Sequence, residues 1–191
     1  MFARLSLVVL LLGATSCLPR IPRQRLNERA KIAVGYIVDP QYAGSAFAPP
    51  AALKDAIKKE LDDHNLEIVD IPLEGIAAQR LTDARFVAVE KAAGEARFLL
   101  LVEQRVMFFS QIDGRYRWEV GTALTASRVR SAGEPAAGIG GNTAKDTFEI
   151  PVILMFDHEK EAEAISYAAI DVSNRVGLLL DGVLAAAELK Q

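Results

Sequence analysis

The chain has 191 residues, 51% of them hydrophobic and 25% charged, with a formal net charge of −3 and one cysteine. That length suits a single folded domain, and the apolar fraction excludes a wholly disordered chain. One cysteine excludes an intramolecular disulfide framework, and the acidic balance argues against nucleic acid, whose binding relies on clustered lysine and arginine.

The first sixteen residues have the three parts of a secretory signal. Arg4 supplies the positive start, Leu5 to Leu12 the apolar run, and Gly13, Ala14, Thr15 and Ser16 a small-residue approach to Cys17. The run is shorter than the about 20 apolar residues that span a bilayer, so it reads as a removable signal. Small residues running into a cysteine resemble the bacterial lipobox, with Ala14 where leucine is usual. The resemblance implies a diacylglycerol thioether on Cys17, cleavage just before it and acylation of the new amino group. Leu18, in place of the aspartate that marks inner-membrane retention, implies the outer membrane, facing the periplasm. An ordinary secretory signal with a chance cysteine is the alternative, but lipidation accounts for an unpaired thiol in an exported chain, and several acyl chains anchor stably.

The expected organisation is a signal peptide over 1–16, a lipidated flexible tether over 17–30 and a single periplasmic α/β domain over 31–191. The tether carries Arg20, Arg23, Arg25 and Arg29 against Glu28, a net +3. Losing Arg4 with the signal takes the chain to −4, which leaves the body at −7. A basic tether suits anionic headgroups, at about 1 kcal/mol per positive side chain near such a surface. Pro19 and Pro22 favour an extended tether, which at full stretch would hold the body about 40 Å from the bilayer.

Lys31 to Val38 is rich in β-branched residues and reads as the first strand. A Gly/Pro/Ser-containing loop follows to Pro50, then a helix over 51–65 with Leu53, Ile57 and Leu61 on one stripe and Asn65 as its stop. Leu66 to Pro72 alternates apolar and acidic residues as a half-buried strand. A second helix is expected over 81–96, with Thr82 or Asp83 as cap, Phe86, Val89 and Ala93 facing inward, and Gly94 near its end. Strands over 98–112 and 115–129 flank Asp113-Gly114, a strong hairpin turn. A two-residue turn there sets Gln111 opposite Tyr116, Phe109 opposite Trp118 and Met107 opposite Val120. Residues 131–146 read as a Gly-rich loop and 148–156 as a strand whose Pro151 suits an edge or a bulge. A last helix spans 159–187, with Ile165, Ala169, Val172, Val176, Leu179 and Val183 repeating at three- and four-residue steps and Asp157 as a cap. The order is β-α-β-α-β-β-β-α, an α/β (α+β) fold with one mixed sheet, a central antiparallel hairpin and about three helices.

Chemistry-bearing motifs are sparse. His64, beside Asp62 and Asp63, reads as a solvated helix-end residue. His158 does not complete a His-Glu-x-x-His pattern, because residue 162 is Ala, so no metal site is read. The Gly138–Thr143 stretch lacks the Gly-Lys-Ser/Thr of a phosphate loop, and no serine sits in a nucleophile elbow. No cofactor is implied. The hairpin gathers Phe108, Phe109, Arg115, Tyr116, Arg117 and Trp118. Phe109 against Trp118 suits simple core packing, whereas Phe108 on the other face, with the arginines, suits a partner-contact patch.

Leu53 to Leu61, Leu66-Glu67-Ile68-Val69-Asp70 and Gly94-Glu95-Ala96-Arg97-Phe98-Leu99-Leu100, followed by a hairpin, resemble a group of bacterial envelope lipoproteins. The group includes the curli secretion channel lipoprotein, the lipoprotein activators of penicillin-binding proteins and the N-terminal domain of the Tol translocation protein TolB. The resemblance covers Lys31 to about Val129. It implies an α/β sandwich that binds partners or self-assembles, with no shared catalytic motif. The expected function is therefore a non-enzymatic, membrane-anchored binding or scaffold component of an envelope assembly or transport complex. A lipid- or small-ligand-binding transporter accessory, which needs an apolar pocket, is the alternative; a hydrolase is a weaker one.

Overall fold

The computed structural model describes residues 23–40, 45–112, 115–129, 140–151 and 158–188, with side chains described outside 109–116, 140, 142–160 and 187–188. In chain order the elements are β1 (Ala30–Pro40), α1 (Ala51–Asp63), β2 (Leu66–Ile71), α2 (Leu73–Ala77), α3 (Thr82–Ala92), β3 (Phe98–Ile112), β4 (Arg115–Arg128), β5 (Gly140–Pro151) and α4 (His158–Glu188). The strands form one sheet in the order β2-β1-β3-β4-β5. β1 runs parallel to β2 and to β3, and β3, β4 and β5 form an antiparallel meander. The mixed sheet with a central antiparallel hairpin is as expected, and the five-residue helix α2 is an addition.

The connections explain the layering. The chain steps from β1 to β2 in one direction, then back past β1 to β3. Two crossovers of the usual right hand then lie on opposite faces of the sheet. Accordingly α1 and α4 cover one face and α2 and α3 the other. β1 is central and buried on both faces, with side chains alternating between two cores. Ile32, Val34, Leu100, Val102 and Leu124 pack under Ile57, Val172 and Val176. Ala33, Ile37, Leu99 and Leu101 pack under Ile76, Phe86 and Val89.

Several boundaries follow local chemistry. Asn65 adopts φ 64 and Gly94 φ 57, so each ends its helix in the left-handed region that these two residue types tolerate best. α3 has no side-chain cap: Leu81 occupies the N-cap position with extended backbone, and neither Thr82 nor Asp83 plays that part. Asp83 nevertheless lies in the first turn, where the helix dipole favours it. The proposed cap Asp157 lies outside the described residues. In α4 the buried stripe ends in Leu180 and Leu184, with Leu179 and Val183 half-buried against it, because a 3.6-residue repeat drifts along a helix of 31 residues.

The hairpin register differs from expectation in one respect. Gln111 does face Tyr116, and the turn is two residues long. A bulge between Phe108 and Ser110 then adds one residue to β3, so Phe108, not Phe109, faces Trp118, and Met107 faces Glu119, not Val120. β5 also begins at Gly140, inside the stretch read as loop, and pairs along β4 from Ala126 to Arg115. Pro151 closes β5, which is an edge strand, where a missing N–H is tolerated. Residues 152–156, expected to continue that strand, lie outside the described residues.

A candidate binding cleft on the α3 face

Trp118, which the sequence offered both to core packing and to the contact patch, is 3% exposed and belongs to the core beneath α4. The bulge causes this, because it puts Phe108 and Trp118 on one face, where their rings meet edge-on at 5.9 Å between centroids. Phe108 is half-buried against the same core, and Arg117 is half-buried. Cys17 and the side chains of Phe109, Arg115 and Tyr116 lie outside the described residues, as does that of His158.

His64 is a clear correction. It is fully buried, with Nδ1 2.7 Å from the Glu60 carbonyl and Nε2 3.1 Å from Asp181 Oδ1. Asp181 lies 117 residues further along the chain, on α4. The same carboxylate accepts the Gln24 N–H at 2.7 Å and pairs with Arg23 Nη1 at 3.3 Å. Arg23 also pairs with buried Glu60 and donates to the Asn174 carbonyl at 3.4 Å. Gly177 makes room for this cluster, since a Cβ there would sit on the Glu60 carboxylate and against the Arg23 guanidinium. Residues 23–26, expected to belong to a flexible tether, are instead fixed across the seam between α1 and α4.

On the opposite face of the sheet lies a second buried ionic cluster, and it borders a cleft. Arg85, in the first turn of α3, forms a bidentate pair with Asp39 at 2.7 and 2.9 Å. It donates to Glu103 Oε1 at 2.9 Å and, through Nε, to the Gln79 carbonyl at 2.9 Å. Burial draws the Arg85 pKa down, but hydrogen bonds to Asp39 and Glu103 outweigh it and hold the guanidinium above its ordinary value. Arg85 and Glu103 are buried while Asp39 is open to solvent, so the network fixes one carboxylate inside and presents the other. Glu103 Oε2 is buried with no hydrogen-bond partner among the described residues. Gln104 and Thr122 are cross-strand partners whose buried side chains likewise lack one.

The cleft has a volume of about 630 Å³. Arg80, Thr82, Arg105, Gly121 and Ala123 complete its lining. Arg80 and Arg105 are exposed, with no ion-pair partner among the described residues, and Leu81 between Arg80 and Thr82 is 72% exposed. The cleft exists because α2 and α3 pack mainly on β1 and β3, while α4 covers β4 from the other side. Gly121, Ala123 and Thr125 of β4 are left half-exposed beside it. Its volume matches a small-molecule site, but such sites are mostly apolar and this lining is charged. It suits a polar or anionic group better than an acyl chain. Sequence reasoning placed Asp39 in a loop and gave Arg85 and Glu103 no role. The available signal was the polar run Glu103-Gln104-Arg105 between the apolar stretches of β3.

No family model matches the chain, and no curated protein matches it. Among solved structures it is similar to a minor lipoprotein from Acinetobacter baumannii, with a TM-score of 0.41 and 10% identity over 80% of this chain and 91% of that one. It is also similar to the rare lipoprotein B from Shewanella oneidensis, with a TM-score of 0.35 and 11% identity over 83% and 97% of the two chains. A third is the PelC dodecamer from Paraburkholderia phytofirmans, with a TM-score of 0.38 and 13% identity over 78% and 90%. At these scores the likenesses assign neither a family nor an activity to this chain.

Proposed function

We propose that this chain is a lipoprotein anchored through Cys17 in the outer membrane, facing the periplasm, and that its body is a non-enzymatic binding component of an envelope assembly or transport complex. The small-residue approach to a lone cysteine supports the anchor. The binding role rests on one observation: the Arg85–Asp39–Glu103 network braces a cleft whose rim carries two exposed guanidiniums, Arg80 and Arg105, with no ion-pair partner among the described residues, beside exposed Leu81. A braced site with cationic and apolar groups at its edge suits a partner that presents a carboxylate or phosphate next to an apolar side chain. The lipid-binding alternative has less support, because the cleft lining is charged.

A photocrosslinking residue at Ala123 in intact envelopes tests this reading. A discrete adduct is expected, and it should be lost when Arg80 and Arg105 are both changed to Glu. An adduct indifferent to that charge reversal would point away from the cleft. A second surface is the hairpin tip with Phe109, Arg115, Tyr116 and Arg117. The bulge at Phe109 favours it, since bulges often re-aim side chains at functional edges. Tyr116→Ser would abolish the adduct only under that second reading.

A further inference from the structure

α4 carries large apolar side chains on its outer face: Tyr167 is 52% exposed, Ile170 72% and Leu178 54%. With exposed Asn174 they follow one another at steps of three, four and four residues, so they share one side of the helix. From Tyr167 to Leu178 the stripe extends about 16 Å. α4 buries its other side against the sheet, so this stripe faces outward.

The point where the tether is fixed indicates what covers them. Arg23 is held to α4 through the Asn174 carbonyl and Asp181, and to α1 through Glu60. Gln24 and Leu26 fasten the next residues to Asp181 and to the His64 carbonyl. Only six residue steps separate Arg23 from Cys17. At about 3.3 Å each, that is a leash of about 20 Å, half the reach of a tether free to residue 30. A body of this size has a radius of gyration of about 15 Å, so such a leash, tied at α4, cannot bring the opposite sheet face to the membrane.

We infer that the outer face of α4 rests on the bilayer surface, with Tyr167, Ile170 and Leu178 among the lipid headgroups. This rests on the anchoring at Cys17 proposed above. Aromatic and apolar residues on an amphipathic helix are suited to that interface. Exposed charges nearby are of both signs, Asp171 on α4, Lys58 and Lys59 on α1 and Arg25 on the tether, which fits zwitterionic and anionic headgroups together. A second copy is a poorer occupant. Three side chains are a small stripe, and stable protein interfaces bury about 1,200 to 2,000 Å². The cleft by Arg85, on the other side of the sheet, then faces away from the membrane.

The test uses the full lipidated protein in phosphatidylethanolamine–phosphatidylglycerol vesicles, with cysteine introduced singly at Ile170, Leu178 or, as a control on the far face, Leu81, and an environment-sensitive fluorophore attached. Labels at 170 and 178 should shift to the blue, brighten severalfold and be quenched by shallow spin-labelled lipids, while the label at 81 stays unchanged. Inserting a Gly/Ser linker between Leu18 and Pro19 should weaken that quenching severalfold without altering the fold. Protein that floats with vesicles but shows the same wet emission at all three sites overturns the orientation and leaves the anchor intact. Labels shielded equally in detergent, with crosslinks between copies, make a second chain the occupant and also overturn it. Fluorophore reacting at Cys17 itself, with no flotation, removes the anchor and the orientation with it.

Discussion

Arg85 and Arg23 each hold a buried carboxylate, and each does so across elements distant in sequence. Arg85 makes four hydrogen bonds, to Asp39, Glu103 and the Gln79 carbonyl. Replacing it with Met leaves Glu103 charged, buried and unpaired, which costs about 3–5 kcal/mol. The urea midpoint of the mature protein should fall accordingly, and Arg85→Met with Glu103→Met should recover most of the loss. A fall in the single variant below about 1 kcal/mol would mean that water already reaches Glu103. Tyr36 provides a pH signature. Burial, and then the charge of Asp70, raises its phenol above the ordinary value of 10.0. A raised value means that the folded state holds the proton more tightly. Its contribution is therefore complete below pH 10.0 and is lost as pH climbs from there towards the folded-state value. Tyr36→Phe should flatten the alkaline loss of stability without changing behaviour near neutrality, as read from unfolding midpoints across that range. An unchanged alkaline slope would show that other groups set it.

At the scale of elements, periodicity made most of the fold legible. β3 was bounded to the residue, and α1, β2, β4 and α4 within a few residues, because each carries an apolar pattern of clear period and ends at Asn65, Pro72, the Asp113-Gly114 turn or a charged stretch. What periodicity could not show was non-local. His64 looked solvated because its partner Asp181 comes from α4. α2 is a single turn and a half, too short to display a repeat. β5 begins in a glycine-rich stretch, and only pairing with β4 makes Gly140 and Gly141 a strand. The bulge at Phe109 left the turn and the far strand in place yet exchanged the face of every β3 residue on its N-terminal side relative to β4. It therefore gave Trp118 the partner Phe108 in place of the Phe109 that a two-residue turn alone implies. Trp118→Ala should then cost about 3–5 kcal/mol, the range for truncating a buried aromatic. A change under about 1 kcal/mol in thermal or urea unfolding would return Trp118 to the surface.

The whole molecule has two unlike sides. α1 and α4 carry the fixed end of the tether, and α2 and α3 border the charged cleft. The candidate cleft was the least legible part of the sequence, since Asp39, Arg85 and Glu103 come from three elements and only the crossover topology brings them together. The proposed anchor is read from local sequence alone, residues 1–17. The proposal depends on both sides: a lipid fixes one, and the other is free to meet a partner. The most direct test is the intact mass of protein extracted from isolated membranes, compared with a Cys17→Ala variant. The expected result is a chain that begins at Cys17 and carries a diacylglyceryl group and an N-acyl chain, with the variant absent from the membrane fraction or left unprocessed. A mature chain with a free Cys17 thiol, or a Cys17→Ala protein still processed and membrane-bound, would contradict it.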